Sequence, residues 1–472
     1  MGNNYIEMRL EDCMDTIIDY RGKTPKKADN GIPLITAKII KNGRIQEVNE
    51  FIAINDYDDW MVRGLPLEGD VVLTTEAPLG EVAQLDARKV ALAQRVITLR
   101  GKKGILENDY LLYLLQSSFV QNQLDGRASG STVTGIKQSE LREIRLRLPP
   151  VSLQKSISHQ LKCLDKKIDL NNKINKTLEQ MSQTLFKSWF VDFDPVIDNA
   201  LDVGNPIPEA LQSRAELRQK VRNSADFKPL PAEIRSLFPS EFEETELGLI
   251  PKGWKFSNVN SLLKNTIGGD WGCDSRDEKH TIQAVIVRGT DIPELISGRM
   301  SSAPCRWVEP KKLEKRKINN GDIIIEVSGG SPTQSTGRSI FMTEQIISRL
   351  GGIIEPASFC RKFEPLSIEI GLIISLHLNK IYNDGKMWEY QNQSTGIANF
   401  QTKYFLEAEH IVMPDVEIIN TFYNIVMPWI DKSHNNNQIV LSNLRDTLLP
   451  KLISGELSLE DLPDLTTDTE AA

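Results

Sequence analysis

The residues that could support catalysis do not complete a known catalytic motif in this sequence. The segment "RGKTP" (Arg21–Pro25) contains the Gly-Lys-Thr that ends a phosphate-binding loop. That loop also needs a glycine five residues before Gly22, and Ile17 stands there. The glycines of "IGGDWGCD" (Ile267–Asp274) precede no helix signal, which favours a loop over a dinucleotide site. The Asn-Pro-Pro-aromatic motif of adenine methylation is absent. The sequence therefore predicts no catalytic centre of these kinds.

Side chains suited to DNA recognition occur at three places in each half of the chain. Lysine and arginine neutralise phosphates, and arginine, lysine, asparagine, glutamine, serine and threonine hydrogen-bond to base edges. The loops containing Thr-Gly-Ile (134–136 and 395–397) are favoured, because glycine lets the backbone approach a partner closely. The alternatives are an ordinary polar loop with a turn glycine and, for single basic residues, solvated charges. The candidates in the first half are Arg21, Lys23, Thr24, Lys38, Lys41, Arg44, Arg127, Ser131, Thr132, Thr134, Lys137 and Gln138. Those in the second half are Arg276, Arg288, Arg299, Asn392, Gln393, Thr395, Asn399 and Gln401.

The distribution of charge permits a polyanionic partner despite a net charge of -8. Segment 192–250 holds twelve acidic and six basic residues, and segment 456–472 holds six acidic residues and no basic one. Without these segments, 46 acidic and 50 basic residues remain. The net negative charge of the chain therefore comes from these two segments, and the rest of the chain has a small net positive charge.

Two sets of landmarks indicate an internal repeat. "LEGDVVLTT" (Leu67–Thr75) matches "NNGDIIIEV" (Asn319–Val327), since both place Gly-Asp at a turn before an apolar β-rich run. The segments Ser131–Pro150 and Asn392–Pro414 share Thr-Gly-Ile, a polar stretch, an alternating strand and a closing proline. The sequence therefore predicts two related globular units.

A long helical pattern follows each closing proline. Its apolar positions are separated by alternating steps of four and three residues, as in a coiled-coil seam. The same offset of 266 residues relates Leu164 to Ile430 and Asn171 to Asn437. We therefore expect the two asparagines to lie near each other across the helix pair and to set its register. The seam positions are Ile157, Leu161, Leu164, Ile168, Asn171, Asn175, Leu178, Ser182 and Leu185, then Phe422, Val426, Ile430, Ser433, Asn437, Val440, Leu444 and Thr447.

These patterns divide the 472 residues into six segments. The linker contains six prolines and is expected to be extended or loosely helical. The segments are a globular domain (1–150), a long helix (151–192), an acidic linker (193–250), a second globular domain (251–414), a second long helix (415–455) and an acidic flexible tail (456–472).

Composition indicates a protein of a reducing compartment. The five cysteines are widely spaced and form no Cys-x-x-Cys pair, which argues against a disulfide framework or a structural zinc site. No run of about 18 apolar residues predicts a membrane span, and the N-terminus does not resemble a secretory signal. We expect a cytoplasmic protein without a membrane partner.

Three segments resemble the specificity subunits of type I restriction-modification enzymes. The central region, and "LFKSWFVDFDP" (Leu185–Pro195) above all, is similar to the middle of such a subunit. "ELGLIPKGW" (Glu246–Trp254) resembles the start of that family's second recognition domain, and "LRDTLLPKLISGEL" (Leu444–Leu457) resembles its C-terminal repeat. The match spans nearly the whole chain, in the family's order.

The resemblance implies a fold and a set of partners. The fold is mixed α/β (α+β), with two target recognition domains separated by two long helices that form a pseudo-twofold-symmetric antiparallel coiled coil. Each domain would read one half of a split target in double-stranded DNA. Modification subunits using S-adenosylmethionine, and motor-nuclease restriction subunits using ATP and Mg²⁺, would assemble on the chain. The chain itself would bind no cofactor or metal and catalyse nothing.

The aromatic residues Phe186, Trp189 and Phe190 have two interpretations. They are either part of a surface that binds a modification subunit or core residues at a helix end. For the whole chain, two other functions compete with DNA recognition. One is a coiled-coil adaptor for protein assembly without sequence-specific DNA binding, and the other is a self-contained nuclease or methyltransferase.

Overall fold

The chain folds into two compact units. The computed structural model describes residues 5–22, 24–130, 133–329, 333–394, 397–435 and 437–459. Unit 1 contains residues 1–169 and 441–472, and unit 2 contains residues 170–440. Across the described ranges, helices and strands both contribute, as the mixed α/β prediction requires. No helix within those ranges is both long and apolar enough to cross a membrane.

Unit 1 contains eleven short strands and five short helices among its described residues, together with the first part of a long helix. The strands are β1 (Ile6–Arg9), β2 (Met14–Asp19), β3 (Ile32–Ile35), β4 (Ile40–Lys41), β5 (Arg44–Ile45), β6 (Phe51–Ile52), β7 (Val71–Thr75), β8 (Leu79–Gln84), β9 (Ala91–Leu92), β10 (Val96–Gly101) and β11 (Arg145–Leu148). The helices are α1 (Leu10–Cys13), α2 (Tyr57–Trp60), α3 (Asn108–Gln116), α4 (Ser118–Arg127), α5 (Gln138–Arg142) and the long α6 (Val151–Phe190).

Unit 2 begins within α6 and contains the second part of that helix. Its strands are β12 (Phe242–Thr245), β13 (Gly248–Pro251), β14 (Lys255–Asn258), β15 (Leu263–Gly268), β16 (Ile282–Val287), β17 (Cys305–Val308), β18 (Ile323–Glu326), β19 (Ser328–Gly329), β20 (Ser339–Phe341), β21 (Ile354–Pro356), β22 (Cys360–Pro365), β23 (Gln391–Ser394), β24 (Ile397–Phe400) and β25 (His410–Met413). Its helices are α7 (Asp194–Val203), α8 (Gln212–Arg222), α9 (Ala232–Arg235), α10 (Ile292–Ile296), α11 (Pro310–Arg316), α12 (Glu344–Arg349), α13 (Ile368–Asn383), α14 (Thr402–Ala408) and α15 (Val416–Ser433), whereas α16 (Asn437–Ser454) begins in unit 2 and ends in unit 1.

The strand topology repeats from unit 1 to unit 2. Four-stranded antiparallel sheets have the orders β2-β10-β7-β8 and β15-β22-β18-β20. Three-stranded sheets have the orders β6-β3-β9 and β17-β16-β21, each with one antiparallel and one parallel pair. The strands β7 and β18, which hold equivalent positions, are the two that follow the Gly-Asp landmarks. The repeat that the sequence predicts is therefore present in the fold.

The Gly-Asp turn has the same chemical function in both repeats. Asp70 is 1% exposed, accepts a hydrogen bond from the Leu67 backbone N–H (2.9 Å), and pairs with the Arg100 guanidinium (2.7 Å). Asp322 is 4% exposed and pairs with the Lys362 ammonium at 3.0 Å. Each aspartate thus closes a turn and joins it to a neighbouring strand, which satisfies a charge that would otherwise be costly to bury.

The acidic segment after α6 is a folded part of unit 2, which differs from the extended or loosely helical linker expected from its prolines. It forms α7, α8, α9 and the hairpin β12–β13. Asp194 and Asp198 on α7 pair with Arg214 and Arg218 on α8. Phe238 is 4% exposed in the core of the unit. The acidic residues that suggested a solvated linker are therefore partly neutralised by arginines about 20 positions later, a pairing that composition alone does not reveal.

The end of α6 supplies aromatic rings to the core of unit 2. The side chains of Phe186, Trp189 and Phe190 are only 1%, 1% and 3% exposed. Trp189 meets Phe238 edge-on at 4.9 Å between ring centroids, and Phe190 meets Phe422 at 4.8 Å. Edge-to-face contacts of this kind add to the free energy of apolar burial. The interpretation of these three rings as a subunit-binding surface is wrong for the folded chain, because its own core encloses them.

The core position of Trp189 gives a measurable prediction. Trp189→Ala should lower the free energy of unfolding of unit 2 by about 3–5 kcal/mol, because it removes a large buried ring and leaves a cavity. Six of the seven tryptophans lie in unit 2, so urea unfolding followed by tryptophan fluorescence reports mainly on this unit. The control is Trp388→Ala, whose ring is 40% exposed and whose loss should cost less than about 1 kcal/mol. Equal effects of the two substitutions would contradict the core assignment.

Candidate nucleic-acid interface

Two of the predicted groups in the first half of the chain meet on one side of unit 1. The Arg21 guanidinium pairs with Asp19 (2.7 Å) and donates a hydrogen bond to the Ile136 carbonyl (2.8 Å). Arg21 therefore ties the loop after β2 to the loop before α5. Thr24 donates to the Gln94 side chain (3.2 Å), which adds the loop before β10. Lys23, Ser131 and Thr132 belong to the same predicted groups but lie outside the described residues.

The Thr-Gly-Ile loop of unit 1 is fastened to the end of β7. Ser129 and Gly135 exchange two backbone hydrogen bonds (2.9 and 3.0 Å), and the Ile136 N–H donates to the Thr75 carbonyl (3.0 Å). A Cβ atom at Gly135 would lie 3.0 Å from both Glu76 Cβ and the Thr75 carbonyl oxygen. The close approach that this glycine permits is therefore to the chain's own strand and not to a partner, which corrects the sequence interpretation.

The loop still presents polar side chains to solvent. Thr134 and Lys137 are exposed on either side of the Gly135–Ile136 contact, and Gln138 begins α5. Arg127 pairs with Glu140 (3.1 Å), so its charge is partly neutralised. Arg95, which sequence reasoning missed, pairs with Glu76 (2.8 Å) at the same place. Its position directly before β10 was the available signal, because residues at the ends of neighbouring strands share one edge of a sheet.

The remaining predicted group of the first half consists of Lys38, Lys41 and Arg44, and Arg44 contacts the long helix α6. Arg44 pairs with Asp165 (3.0 Å) and Asp169 (2.6 Å) on α6. Its role in the folded chain is to hold the hairpin β4–β5 against the long helix, so the prediction of a phosphate contact by Arg44 is not supported by its geometry. Lys38 and Lys41 are exposed and keep the charge that such a contact needs.

In unit 2 the predicted amides gather on the small sheet β19-β24-β23. Asn392 and Asn399 are opposite each other in the register of β23 and β24. The Gln401 side-chain amide donates a hydrogen bond to the side-chain Oδ1 of Asn392 (2.6 Å), and the Ser328 hydroxyl donates one to the side-chain Oδ1 of Asn399 (3.0 Å). Both asparagines are exposed. Thr395 and the side chain of Gln393 lie outside the described residues.

The three arginines predicted in the second half do not join this sheet in the contacts that they make. Arg288 forms a two-pronged pair with Asp291 (2.8 and 2.9 Å) and also donates to Ser302, so it closes a turn. Arg299 is exposed and donates to the Ser297 hydroxyl (2.9 Å). Arg276 is exposed and its guanidinium carbon lies 5.8 Å from the centre of the Trp307 ring. Arg276 and Arg299 are exposed, as a phosphate contact requires, whereas the Arg288 guanidinium is occupied by its contacts with Asp291 and Ser302.

The helices pack as an antiparallel pair within each unit. In unit 2, α6 contacts the C-terminal helices at Asn172–Gln438 and again at Phe190–Phe422. Because the residue numbers rise along α6 while they fall along its partner, the helices run in opposite directions. In unit 1, Arg445 of α16 pairs with Asp165 of α6 (3.0 Å), and Leu452 packs in the same core as Leu161. The predicted seam of α6 is correct, since all nine of its positions are buried or half-buried.

The predicted register of the second helix is wrong beyond Ser433. The segment is two helices, α15 and α16, because α15 ends at Ser433 and α16 begins at Asn437. The interruption changes the phase of the seam: Val440 and Leu444 are 59% and 36% exposed, whereas Gln438 is 5% exposed. Asn437 is exposed and Asn171 half-buried. The bond across the pair instead joins their neighbours, Gln438 and Asn172 (2.5 Å).

A histidine marks the interruption between α15 and α16. His434 is 8% exposed, and its Nδ1 lies 3.3 Å from the hydroxyl of Thr343, which is fully buried. Burial, and then the positive charge of Arg349, lower the pKa of His434 to about 3. The imidazole is therefore neutral in the folded chain at neutral pH, and its protonation opposes the folded state.

Together, a repeated sheet topology and a pair of antiparallel helices within each unit define a duplicated scaffold. The family described as "Type I restriction modification DNA specificity domain" matches residues 4–180. The MjaIX specificity subunit of Methanocaldococcus jannaschii is 24% identical over 410 residues, which cover 84% of this chain and 79% of the relative. The HindI specificity subunit of Haemophilus influenzae is 24% identical over 393 residues, covering 79% and 82%. The chain is therefore similar to the specificity subunits of type I restriction-modification systems over most of its length, and its first 180 residues carry the match to their DNA specificity domain.

A solved structure agrees with this fold. The type I restriction-modification S subunit of M. genitalium has a TM-score of 0.53 at 14% identity, with 96% of this chain and 97% of that chain covered. At this identity the likeness concerns the fold alone. The comparisons favour the interpretation as a DNA-recognition subunit over the interpretations as a protein-assembly adaptor or as a self-contained enzyme.

The buried histidine predicts a pH dependence of stability. A histidine with a folded pKa of about 3 binds its proton mainly in the unfolded chain, whose ordinary pKa is near 6.5. Its contribution to stability is therefore complete above about pH 6.5 and is lost as the pH falls towards 3, by about 1.4 kcal/mol per pH unit. His434→Gln should flatten the decline in the free energy of unfolding of unit 2 between pH 6.5 and 5, measured by urea titration. The exposed His159 provides the control His159→Gln, which should keep the parent slope. A parental slope in the His434 variant would refute the assignment.

Proposed function

We propose that this chain reads a DNA target made of two half-sites, with one half-site contacted by each repeat. The observation that carries the proposal is the placement of hydrogen-bonding side chains at equivalent points of the two repeats. In unit 1 the Thr-Gly-Ile loop pairs with Glu76, just after β7. In unit 2 the corresponding segment, β24, pairs with Ser328, just after β18. Two related folds that present different side chains at one point suit the reading of two different short sequences.

The chemistry of these side chains supports base recognition. Amides and hydroxyls offer both donors and acceptors, which match the distinct patterns on base edges in the major groove. Asn392, Asn399 and Gln401 supply them in unit 2, and Thr134 supplies a hydroxyl in unit 1. Lys38, Lys41 and Lys137 are exposed cations suited to phosphates. Residues held in ion pairs, such as Arg44 and Arg288, serve the fold in this proposal.

The long helix supports a fixed spacer between the half-sites. The helix α6 has 40 residues, which corresponds to about 60 Å at ~1.5 Å per residue. Half-sites facing the same side of a duplex are about 34–36 Å apart. A helix of this length, braced by an antiparallel partner, is long enough to separate two reading domains by one helical turn of DNA. The unread spacer is then a consequence of helix length.

Partner subunits complete the proposed activity. The relatives are named as subunits of type I restriction enzymes, which supports assembly of this chain with modification and restriction subunits. In that assembly S-adenosylmethionine, ATP and Mg²⁺ act in the partners, and this chain selects the DNA. DNA methylation by the assembled methyltransferase complex is therefore the readout of this proposed function.

Substitutions in one repeat should affect only one half-site. Asn392→Ala with Gln401→Ala should relax one half of the methylated sequence, and Thr134→Ala with Lys137→Ala should weaken or relax the other half. Loss of a good base contact costs about 1–3 kcal/mol, or roughly 5- to 150-fold in discrimination. The measurement is sequencing of methylated adenines in DNA modified by each complex. Asn260→Ala, at an exposed amide elsewhere in unit 2, is the control. Equal relaxation of both half-sites by either double variant would contradict the proposal.

A shorter α6 should change the spacer and not the half-sites. Removal of four residues between 170 and 181 shortens the helix by about 6 Å, which is nearly two base pairs of duplex. We expect the preferred spacer to shorten while both half-sequences stay the same, as measured by methylation of targets with graded spacers. The control replaces four exposed residues, Lys173, Lys176, Thr177 and Gln180, by alanine without deletion. An unchanged spacer with altered half-sites would disprove the role of the helix.

A further inference from the structure

A loop in unit 2 brings together three side chains of types that can ligate a metal ion, and the proposed function does not use them. The loop connects β15 to β16 and covers residues 269–281. Within it, Cys273, Asp277 and His280 each offer one ligand atom, and these atoms all lie within 4.8 Å of one another. The three side chains come from eight consecutive residues of irregular backbone, so a single bound ion would cross-link the loop to itself.

The backbone of this loop is fixed at the cysteine. Cys273 and Trp307 exchange two hydrogen bonds, at 2.8 Å and 3.0 Å, which attach the loop to β17. Gly272 has a φ of +66°, and a Cβ atom there would lie 2.5 Å from the Trp307 carbonyl oxygen. Only glycine fits this close approach, so the backbone directly before Cys273 is constrained.

The carboxylate and the imidazole are also held in place. One oxygen of Asp277 accepts hydrogen bonds from the backbone N–H groups of Lys279 (2.8 Å) and His280 (2.7 Å). The His280 Nδ1 lies 2.9 Å from each oxygen of Asp277. Two ligands bound tetrahedrally at ~2.0–2.1 Å stand about 3.3 Å apart, so a small opening of this pair would admit a zinc ion.

An Asp-capped turn explains part of this arrangement but not all of it. Asp277 and the backbone of Lys279 and His280 make that turn by themselves, and such turns are common. The turn does not require a thiol, yet Cys273 is brought to the same point by a separate contact with β17. A thiolate with an imidazole and a carboxylate is a donor set suited to Zn²⁺ and unsuited to Mg²⁺ or Ca²⁺.

We propose that Cys273, Asp277 and His280 bind one zinc ion, with the fourth position open to water. Binding releases the thiol proton of Cys273 and leaves the ring of His280 neutral, so the ligands carry two negative charges against two positive charges on the metal. The ion joins the two ends of the turn that carries the exposed Arg276 and orders the segment between them. None of the three ligands is a predicted DNA contact, although Arg276 between them is, and the proposal differs from the expectation that the chain binds no metal.

The neighbouring Cys305 supplies a matched control. It is an exposed thiol on β17, two residues before Trp307, and it is not a member of the group of three. Cys305→Ser therefore removes a thiol from the neighbouring strand β17 and leaves all three proposed ligands in place.

The test uses the full-length chain, treated with a chelator and then titrated with Co²⁺ as a spectroscopic substitute for Zn²⁺. We expect one equivalent of Co²⁺ to bind with a thiolate-to-cobalt absorption band in the near ultraviolet, and Zn²⁺ to displace it. Cys273→Ser should abolish the band. His280→Ala and Asp277→Asn should weaken binding by more than about 100-fold, since removal of a ligand exceeds the 10- to 100-fold cost of removing its outer partner.

Two further measurements separate loss of the site from loss of the fold. Without metal, the urea unfolding of each variant should match that of the metal-free parent. Cys305→Ser should bind Co²⁺ as the parent does. The proposal is overturned if the parent binds no stoichiometric Co²⁺, if the absorption band survives Cys273→Ser, or if Cys305→Ser removes it. None of these readouts depends on DNA, so their failure leaves the proposed function untouched.

Discussion

The packing of one continuous helix into two separate hydrophobic cores underlies the rest of this structure. The first part of α6 buries Ile157, Leu161 and Leu164 in unit 1, and its last turns bury Phe186 and Trp189 in unit 2. Each end of the helix is thereby held by apolar burial, which is the dominant favourable term in folding. The helix needs this support, because helices gain most of their stability from tertiary packing and less from propensity.

Between those apolar ends the helix is polar, and hydrogen bonds take over from burial. Asn171 and Asn175 are half-buried, and the Gln438–Asn172 bond crosses the pair there. A polar contact in a seam costs stability relative to leucine but disfavours other alignments of the helices. The interruption of the second helix lies close by in sequence, immediately before Asn437. The polar middle is therefore where alignment is specified, while the ends provide the stability.

Ion pairs decide which basic residues are left for a partner. Arg21, Arg44, Arg127 and Arg288 are all paired with carboxylates of their own unit. Such pairs contribute modestly to stability where they are exposed, but they neutralise the charge that a phosphate would otherwise meet. Most of the exposed residues among the predicted DNA contacts are amides, hydroxyls and lysines, namely Asn392, Asn399, Thr134, Lys38, Lys41 and Lys137. In the proposed function, specificity therefore rests more on hydrogen bonding than on net charge, in keeping with the chain's net charge of -8.

Local patterns in the sequence were enough to find several features. The repeat was visible because a Gly-Asp turn before an apolar strand is a local signal, and Asp70 and Asp322 perform the same task in the fold. The seam of α6 was visible because helical periodicity is also local. The family resemblance was carried by contiguous motifs, of which "LFKSWFVDFDP" is the most specific.

Other features of the structure depend on contacts between residues that are far apart in the sequence. The partner of Arg44 is more than 120 positions away, on α6, and no local pattern identifies it. The sequence leaves the aromatic residues near Trp189 open to a surface or a core position, and the contacts of Trp189 with Phe238 and Phe422 place it in the core. The three donors of the loop at 273–280 are near in sequence, yet their convergence depends on the attachment of Cys273 to β17. The sequence by itself determined the repeat, the first helix and the kind of side chain at each loop. Only the tertiary structure decided which of those side chains are buried, which are paired and which remain free to bind, because burial and pairing depend on residues that the chain brings together only when it folds.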